Sequence, residues 1–114
     1  MLLCLVTILV TLCYNLLMRI ISRRILREFW EKHPDASVPL QAWFRDVEQA
    51  NWKTPADIKA IHKNASFVAK NRVVFNIKGN HYRIVVVVVY QHGVVYIRFV
   101  GTHSEYDMID VTTI

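Results

Sequence analysis

Residues 72–100 read RVVFNIKGNHYRIVVVVVYQHGVVYIRFV, and this stretch decides the fold. β-Branched and aromatic residues dominate three runs within it, Arg72–Lys78, His81–Tyr90 and Val94–Val100. These runs are separated by pairs that suit two-residue hairpin turns, Gly79-Asn80 and His92-Gly93. The pattern therefore predicts a three-stranded antiparallel meander.

Two-residue turns would also fix which residues lie opposite one another. The first turn places Asn76 opposite Arg83, and the second places Arg98 opposite Val87. The second turn also places Thr102 opposite Arg83. Side chains alternate between the two sides of a sheet. One side, here called the helix face, is predicted to carry Val73, Phe75, Ile77, Tyr82, Ile84, Val86, Val88, Tyr90, Val95, Ile97 and Phe99. The other side, the open face, is predicted to carry Arg72, Asn76, Lys78, His81, Arg83, Arg98 and Thr102.

The residues before the meander predict a short strand and three helices. The strand is Met18–Ile21, at one edge of the sheet. Apolar residues at helical spacing follow it in two sets, Ile25, Leu26, Phe29 and Trp30, then Leu40, Trp43, Phe44 and Val47. Ser22, Ser37 and Thr54-Pro55 are the predicted helix starts, and His33-Pro34 ends the first helix. The predicted fold class is α+β, with N-terminal helices packed on one face of a small antiparallel sheet.

The charge distribution indicates a polyanionic partner. The chain has 114 residues, enough for one domain, and a formal net charge of +5. From Lys53 to Arg98 there are eight basic residues and one acid, Asp57. A solvated surface is the plain explanation of such a bias, but its strength favours RNA, DNA or anionic lipid as a partner. No Cys/His cluster has zinc spacing, so no metal site is expected.

The basic residues of the open face suggest chemistry on phosphate. Three arginines and a lysine are predicted to lie in neighbouring rows beside His103, which follows Gly101: Arg72, Arg83, Arg98 and Lys78. Guanidinium groups bind phosphate through two donors and can stabilise a phosphorane without a metal. A histidine can transfer a proton at neutral pH. These residues alone leave a phosphodiester-cleaving site and an RNA-binding surface equally open.

Two blocks of sequence resemble the HigB toxins of type II toxin–antitoxin systems, within the RelE superfamily. They are Asn76-Ile-Lys-Gly-Asn80 and Gly101-Thr-His-Ser-Glu-Tyr-Asp107, and Asn51–Asp57 matches as well. The resemblance implies a RelE-like fold and cleavage of mRNA, usually in the ribosomal A site, by the ribose 2′-hydroxyl. It implies neither metal nor cofactor. It also implies a helix-turn-helix antitoxin of the HigA type as partner.

The resemblance also suggests roles for individual residues. Arg83 matches an arginine that contacts the scissile phosphate, and His103 stands at a catalytic position. Tyr106 would be a second acid or a group that stacks on a base. Arg98 joins the catalytic candidates because it is one of the basic residues of the open face. The RNA-binding candidates are Arg72, Asn76, Lys78, Asn80 and His81.

Residues 1–17 form an apolar leader ahead of the domain 18–114. Because the resemblance begins at Met18, the favoured interpretation is an upstream extension of a cytoplasmic protein. The alternative is an inner-membrane anchor, with Arg19, Arg23 and Arg24 on the cytoplasmic side. Membrane would then be a partner of a tethered basic binding module.

Two features leave further alternatives open. The same fold could serve a ParE-like toxin that binds its target and cuts nothing. The five consecutive valines Val85–Val89 are an aggregation risk, and the antitoxin or the ribosome could bury them.

Overall fold

The computed structural model describes residues 18–114. The predicted leader, residues 1–17, lies outside the described residues, and so does the choice between an upstream extension and an anchor. Within residues 18–114, no helix combines the length and the apolar character needed to span a membrane.

Residues 18–114 form a five-stranded sheet whose N-terminal helices pack on one side. The elements are β1 (Arg19–Ile21), α1 (Arg23–Lys32), a 3₁₀ turn (Pro34–Ala36), α2 (Ser37–Glu48), α3 (Pro55–Ile61), β2 (Ser66–Val68), β3 (Arg72–Ile77), β4 (Tyr82–Val89), β5 (Val94–Thr102) and α4 (His103–Tyr106). The strand order is β1-β5-β4-β3-β2. The α+β class and the RelE-like arrangement are therefore confirmed.

Two details of the predicted sheet are wrong. The sheet is mixed rather than antiparallel, because β1 runs parallel to β5. No hairpin joins these two strands, so nothing local fixes their relative direction. The sequence also missed β2, which pairs antiparallel with β3. Three residues are too few to show an alternating pattern.

The helix starts agree with the sequence at one of three places. Thr54 begins α3 in a capping box with Asp57, as predicted. Ser22 precedes α1 in a left-handed conformation with φ 76° and makes no side-chain cap bond, whereas a capping residue needs extended backbone. Ser37 lies inside the first turn of α2, because the 3₁₀ turn already leads into that helix. Its hydroxyl accepts a hydrogen bond from Gln41 instead.

The first hairpin has the predicted register. Asn76 lies opposite Arg83, although the connection is four residues long, since β3 ends at Ile77 and β4 begins at its partner Tyr82. Lys78 and Gly79 take left-handed backbone angles in this turn, with φ 51° and 64°. Gly79 adopts such angles without strain.

The second hairpin departs from the predicted register. Val89 pairs with Val94, so four residues rather than two make the turn. A β-bulge then leaves Arg98 with no opposite residue, because Val86 pairs with Ile97 and Val85 pairs with Phe99. As a result Val87 lies opposite Tyr96, and Gly101 takes the predicted place of Thr102 opposite Arg83.

The bulge also exchanges the faces beyond it. Phe99 was predicted on the helix face, but it lies on the open face with Arg83. Its ring covers Gly101, where an added Cβ would come within 2.5 Å of a ring carbon. Thr102 and Val100 turn to the helix face instead, and Val100 packs against the core there.

Phe75 lies at the centre of the core between helices and sheet. It is 2% exposed, and its ring packs against Trp43, Trp52 and His62 with centroids 5.4, 5.9 and 5.0 Å away. Removal of this ring leaves a cavity that the rigid sheet cannot fill. We therefore expect Phe75→Ala to lower the free energy of unfolding by about 3–5 kcal/mol, a large share of a small domain's stability.

Urea unfolding followed by tryptophan fluorescence measures this effect. Phe67→Ala is the matched control, because Phe67 on β2 is 42% exposed and should change the unfolding free energy little. Equal unfolding midpoints for the two variants would contradict the packing described here.

The valine run is better covered than the sequence suggests. Val74 and Val85 on the open face are 2% and 0% exposed. The residues after β5 return over this face: Arg83 lies beside the Tyr106 ring, and Arg72 donates a hydrogen bond to the carbonyl oxygen of Ile114. The chain's own C-terminal segment thus covers part of the surface that was left for a partner.

Candidate active site

Arg83 is held in place by three neighbours on the open face. Its Nη1 donates a hydrogen bond to Oδ1 of Asn76, the residue opposite on β3, and lies 3.4 Å from Oδ1 of Asn80. Its Cζ is 5.6 Å from the centroid of the Tyr106 ring. We call these four residues the Arg83 cluster. The guanidinium is partly exposed, so it is both oriented and accessible to an anion.

A capping box fixes the start of α4, the helix that carries His103 and the cluster residue Tyr106. Thr102 Oγ1 accepts a hydrogen bond from the amide of Glu105, and the Glu105 carboxylate accepts one from the amide of Thr102. The second bond lowers the pKa of the Glu105 carboxyl. The box forces the chain into α4 directly after β5. His103 and Tyr106 therefore lie one helical turn apart at the end of the sheet.

The His103 ring has a carboxylate partner. Its Nδ1 lies 2.9 Å from Oδ2 of Asp107, four residues later in the chain. An imidazole held at Nδ1 by a carboxylate presents Nε2 for proton transfer. The His103 amide also donates to the carbonyl of His81, which ties α4 to the β3–β4 turn.

Lys78 is directed away from Arg83. Its Nζ lies 2.8 Å from the carboxylate of Asp35 in the 3₁₀ turn, which also accepts a 2.6 Å hydrogen bond from the Tyr82 hydroxyl. These two donors, Lys78 first, lower the pKa of Asp35 to about 2. The bond to Asp35 raises the pKa of Tyr82. Asp35 thus fastens the β3–β4 turn to the helical layer.

Arg72 and Arg98 also lie apart from Arg83. Arg72 is four residues from Asn76 along β3, about 13 Å, and donates to the carbonyls of Ile114 and Lys70. Arg98 is exposed at the bulge, with its guanidinium 5.7 Å from the Tyr96 ring. The predicted convergence of three arginines and a lysine is therefore wrong. The register shift displaces Arg98, the Asp35 ion pair draws Lys78 away, and Arg72 lies too far along β3.

An open cleft of about 640 Å³ adjoins the Arg83 cluster. Its lining combines three histidines with polar side chains: His33, His81, His103, Asn80, Thr102 and Ser104. The sequence singled out His81, His103 and Asn80 of this set. It gave His33 only as the end of a helix.

Asp107 was missed although the sequence carried a signal for it. The spacing His103-Ser-Glu-Tyr-Asp107 puts the imidazole and the carboxylate on one side of a helix, so the pair could have been predicted from the block itself. His33 and Asp35 gave no such signal. They reach the site only when the end of α1 and the 3₁₀ turn pack against the start of β4. Within residues 18–114, no three His, Cys, Asp or Glu side chains group as metal ligands.

Replacement of Asp35 tests whether it fastens the turn. A carboxylate whose pKa is lower in the folded chain adds stability above its unfolded pKa, and this contribution is lost as the pH falls through the folded pKa. For Asp35 that window runs from about 3.8 down to about 2. We expect Asp35→Asn to lower the Tm at neutral pH and to flatten the decline of the Tm across this window.

Thermal unfolding from pH 2 to pH 6 provides the measurement. Glu31→Gln removes an exposed carboxylate from α1 and is the matched control. A pH dependence in Asp35→Asn that is as steep as in the unchanged chain would show that Asp35 does not hold the turn.

The geometry suits an anionic substrate that gains charge during reaction. An oriented guanidinium can donate two hydrogen bonds to phosphate oxygens. His103 and Tyr106 lie one helical turn apart on α4, and both side chains can transfer protons. Together these groups are what cleavage of a phosphodiester by an internal hydroxyl requires.

Comparison with known proteins identifies relatives of this arrangement. The family model described as HigB_toxin, RelE-like toxic component of a toxin-antitoxin system, matches residues 36–109. The mRNA interferase toxin HigB of Escherichia coli (strain K12) is 33% identical over 93 residues, 79% of this chain and 88% of the relative. The mRNA interferase HigB of Shigella flexneri matches to the same extent. That of Escherichia coli O6:H1 (strain CFT073) is 23% identical over 94 residues, 81% of this chain and 91% of the relative.

Proposed function

The chain belongs to the HigB family of RelE-like toxins, and from this premise we propose that it is an mRNA interferase that cleaves mRNA on the ribosome without a metal ion. The single observation that carries the proposal is the oriented guanidinium of Arg83 beside the Tyr106 ring of α4, the helix that also begins with the His103–Asp107 pair. The relatives named above are named mRNA interferases, and the match to each covers 79% of this chain.

In the proposed reaction, the scissile phosphate binds to Arg83. The ribose 2′-hydroxyl loses its proton and its oxygen bonds to phosphorus. The bond from phosphorus to the 5′ oxygen breaks, and that oxygen takes up a proton. His103 transfers one of these protons through Nε2, and Tyr106 is the candidate for the other. Arg83 stabilises the additional negative charge on the phosphorane, and Asp107 stabilises the imidazolium.

The remaining candidates would bind RNA around this point. Asn76 and Asn80 orient Arg83, and His81 lines the adjoining cleft. Lys78 lies on the same turn. Arg98, which the sequence placed among the catalytic residues, is exposed at the bulge and better suited to the RNA backbone. Arg72 would extend this backbone contact along β3.

A HigA-type helix-turn-helix antitoxin is the proposed protein partner, and the cytoplasm the proposed location. Two features support a controlling partner. The Arg83 cluster and the cleft are open to solvent, and a formal net charge of +5 favours binding to RNA in general. A ribonuclease with such a site needs an inhibitor in the cell that makes it.

The test is induced production of the full chain in bacteria, followed by a reconstituted translation reaction with the purified protein. We expect growth arrest, and mRNA cut within the open reading frame when ribosomes are present. The products should carry a 2′,3′-cyclic phosphate and a 5′-hydroxyl. Intact mRNA and normal translation with soluble protein would overturn the proposal. Growth arrest with intact mRNA would favour a ParE-like binding toxin.

Deletion of residues 1–17 should leave both the fold and the cleavage activity unchanged. Met18 is 4% exposed, its amide donates to the carbonyl of Ala50, and its Sδ accepts from the amide of Trp52. Met18, the first residue of the described range, is thus already part of the core. The Tm and the cleavage rate of 18–114 and of the full chain provide the comparison, and cell fractionation of the full chain tests for an anchor. A folded but inactive 18–114 would show that the leader takes part in the activity.

A further inference from the structure

We propose that the cleft beside the Arg83 cluster is a subsite for one nucleobase of the RNA, the base next to the scissile phosphate, with His33 as its stacking platform. The inference rests on the proposed function and adds a substrate contact to it. His33 does not belong to the catalytic set described above, although His103 of that set also lines the cleft.

The position of the cleft follows from two shared residues. Asn80 lies within 3.4 Å of Arg83 and also lines the cleft. His103 pairs with Asp107 and lines the cleft as well. A phosphate bound to Arg83 and within reach of His103 therefore has the cleft directly beside it. Single-stranded RNA bound there would place the neighbouring base in the cleft.

The His33 ring is held rigidly for stacking. It stacks on Phe29 with centroids 4.4 Å apart and an interplanar angle of 24°, and Tyr82 lies 5.7 Å away on another side. The ring is half-buried, and its backbone amide ends α1 by donating to the carbonyl of Phe29. The helix end accounts for the backbone of His33 but not for a stacked ring at the wall of a cleft. Unpaired RNA bases stack on such rings, histidine included.

The lining chemistry favours a base over a phosphate. Among the described residues that line the cleft, none is arginine or lysine. Asn80 and Ser104 offer donors and acceptors to a base edge. The volume, about 640 Å³, is within the ordinary range for a ligand pocket.

Cleavage on ribosomes with a short mRNA in the A site tests the subsite with the full chain. We expect His33→Ala to lower kcat/KM by about tenfold, mainly through KM, because base stacking contributes to binding. His33→Phe keeps a ring and should cleave nearly as the unchanged chain does. His92→Ala, an exposed histidine of the β4–β5 turn, is the matched control and should have no effect.

Abasic substrates separate loss of a base contact from loss of structure. An mRNA that lacks the base on one side of the cut should be cleaved about tenfold less well by the unchanged chain. The same change should cost His33→Ala nothing further, because the contact is already gone. Equal losses in both proteins, for abasic positions on either side, would overturn the inference. The Tm of each variant shows that it folds, and His33→Phe maintains the test if His33→Ala does not.

A binding measurement keeps this inference distinct from the proposed function. The probe is a dinucleotide with a 2′-deoxyribose before the phosphate, which cannot be cleaved. Its titration should move the ring resonances of His33 and His103 in NMR spectra along one binding curve, and leave those of His92 in place. An unmoved His33 resonance would overturn the subsite. If the unchanged chain cuts no mRNA, the proposed function fails, and this titration alone decides the subsite.

Discussion

Replacement of Arg83 by alanine is expected to lower the rate of RNA cleavage by a factor of about 10² to 10³. The Arg83 guanidinium contacts Asn76, Asn80 and Tyr106, and it lies on the open face next to α4. In the proposed reaction it stabilises charge that appears only in the transition state, so its loss should reduce kcat more than it raises KM. The fold should survive, because Arg83 is partly exposed.

Arg83→Lys sharpens this test. Lysine keeps the charge but has no planar pair of donors, so we expect only partial recovery of the rate. Arg27→Ala, from the exposed side of α1, is the matched control for loss of one positive charge. Single-turnover cleavage on ribosomes, together with the Tm of each variant, provides the measurement. If Arg83→Ala cuts at the unchanged rate, the assignment of the active site falls.

Replacement of His103 by alanine should cost a factor of about 10² to 10⁴ in rate, the usual loss when a proton-transfer group is removed. The ring lies between the Asp107 carboxylate and the cleft. Asp107→Asn keeps the hydrogen bond but not the charge that stabilises the imidazolium, so its effect should be smaller than that of His103→Ala.

The pH dependence of cleavage distinguishes a chemical role from a structural one. The pH–rate profile of the unchanged chain should contain a limb that is absent in His103→Ala. His92→Ala should keep the limb. If His103→Ala cuts at the unchanged rate, Tyr106 becomes the better candidate for the proton donor, and Tyr106→Phe should then abolish cleavage.

Much of the fold could be predicted because local sequence specifies it. The Gly79-Asn80 turn separates two runs rich in β-branched residues, so the pairing of Asn76 with Arg83 follows directly. The second hairpin could not be predicted in the same way. No residue type in Val94–Thr102 marks the bulge at Arg98, and one extra residue moves every later side chain to the other face. The errors at Phe99 and Thr102 both follow from that single residue.

The candidate site also has one part that local sequence predicts and one part that it does not. Arg83, Asn76, His103 and Tyr106 are close in the structure because neighbouring strands and one helical turn connect them, and the sequence contains those relations. His33 and Asp35 approach the β3–β4 turn from a helical layer more than forty residues earlier in the chain. Contacts of this kind depend on how α1 packs against the sheet, which no local pattern encodes.

The pairing of β1 with β5 affects how the protein folds during its synthesis. Arg19 lies opposite Val94, so β1 can pair only after β5 has been synthesised. The sheet cannot close before then. Long-range pairing of this kind is slow, and it cannot begin while β5 is still inside the exit tunnel. α4, with His103 and Tyr106, is synthesised later still. In a nascent chain, Arg83 and α4 can therefore come together only when synthesis is almost complete.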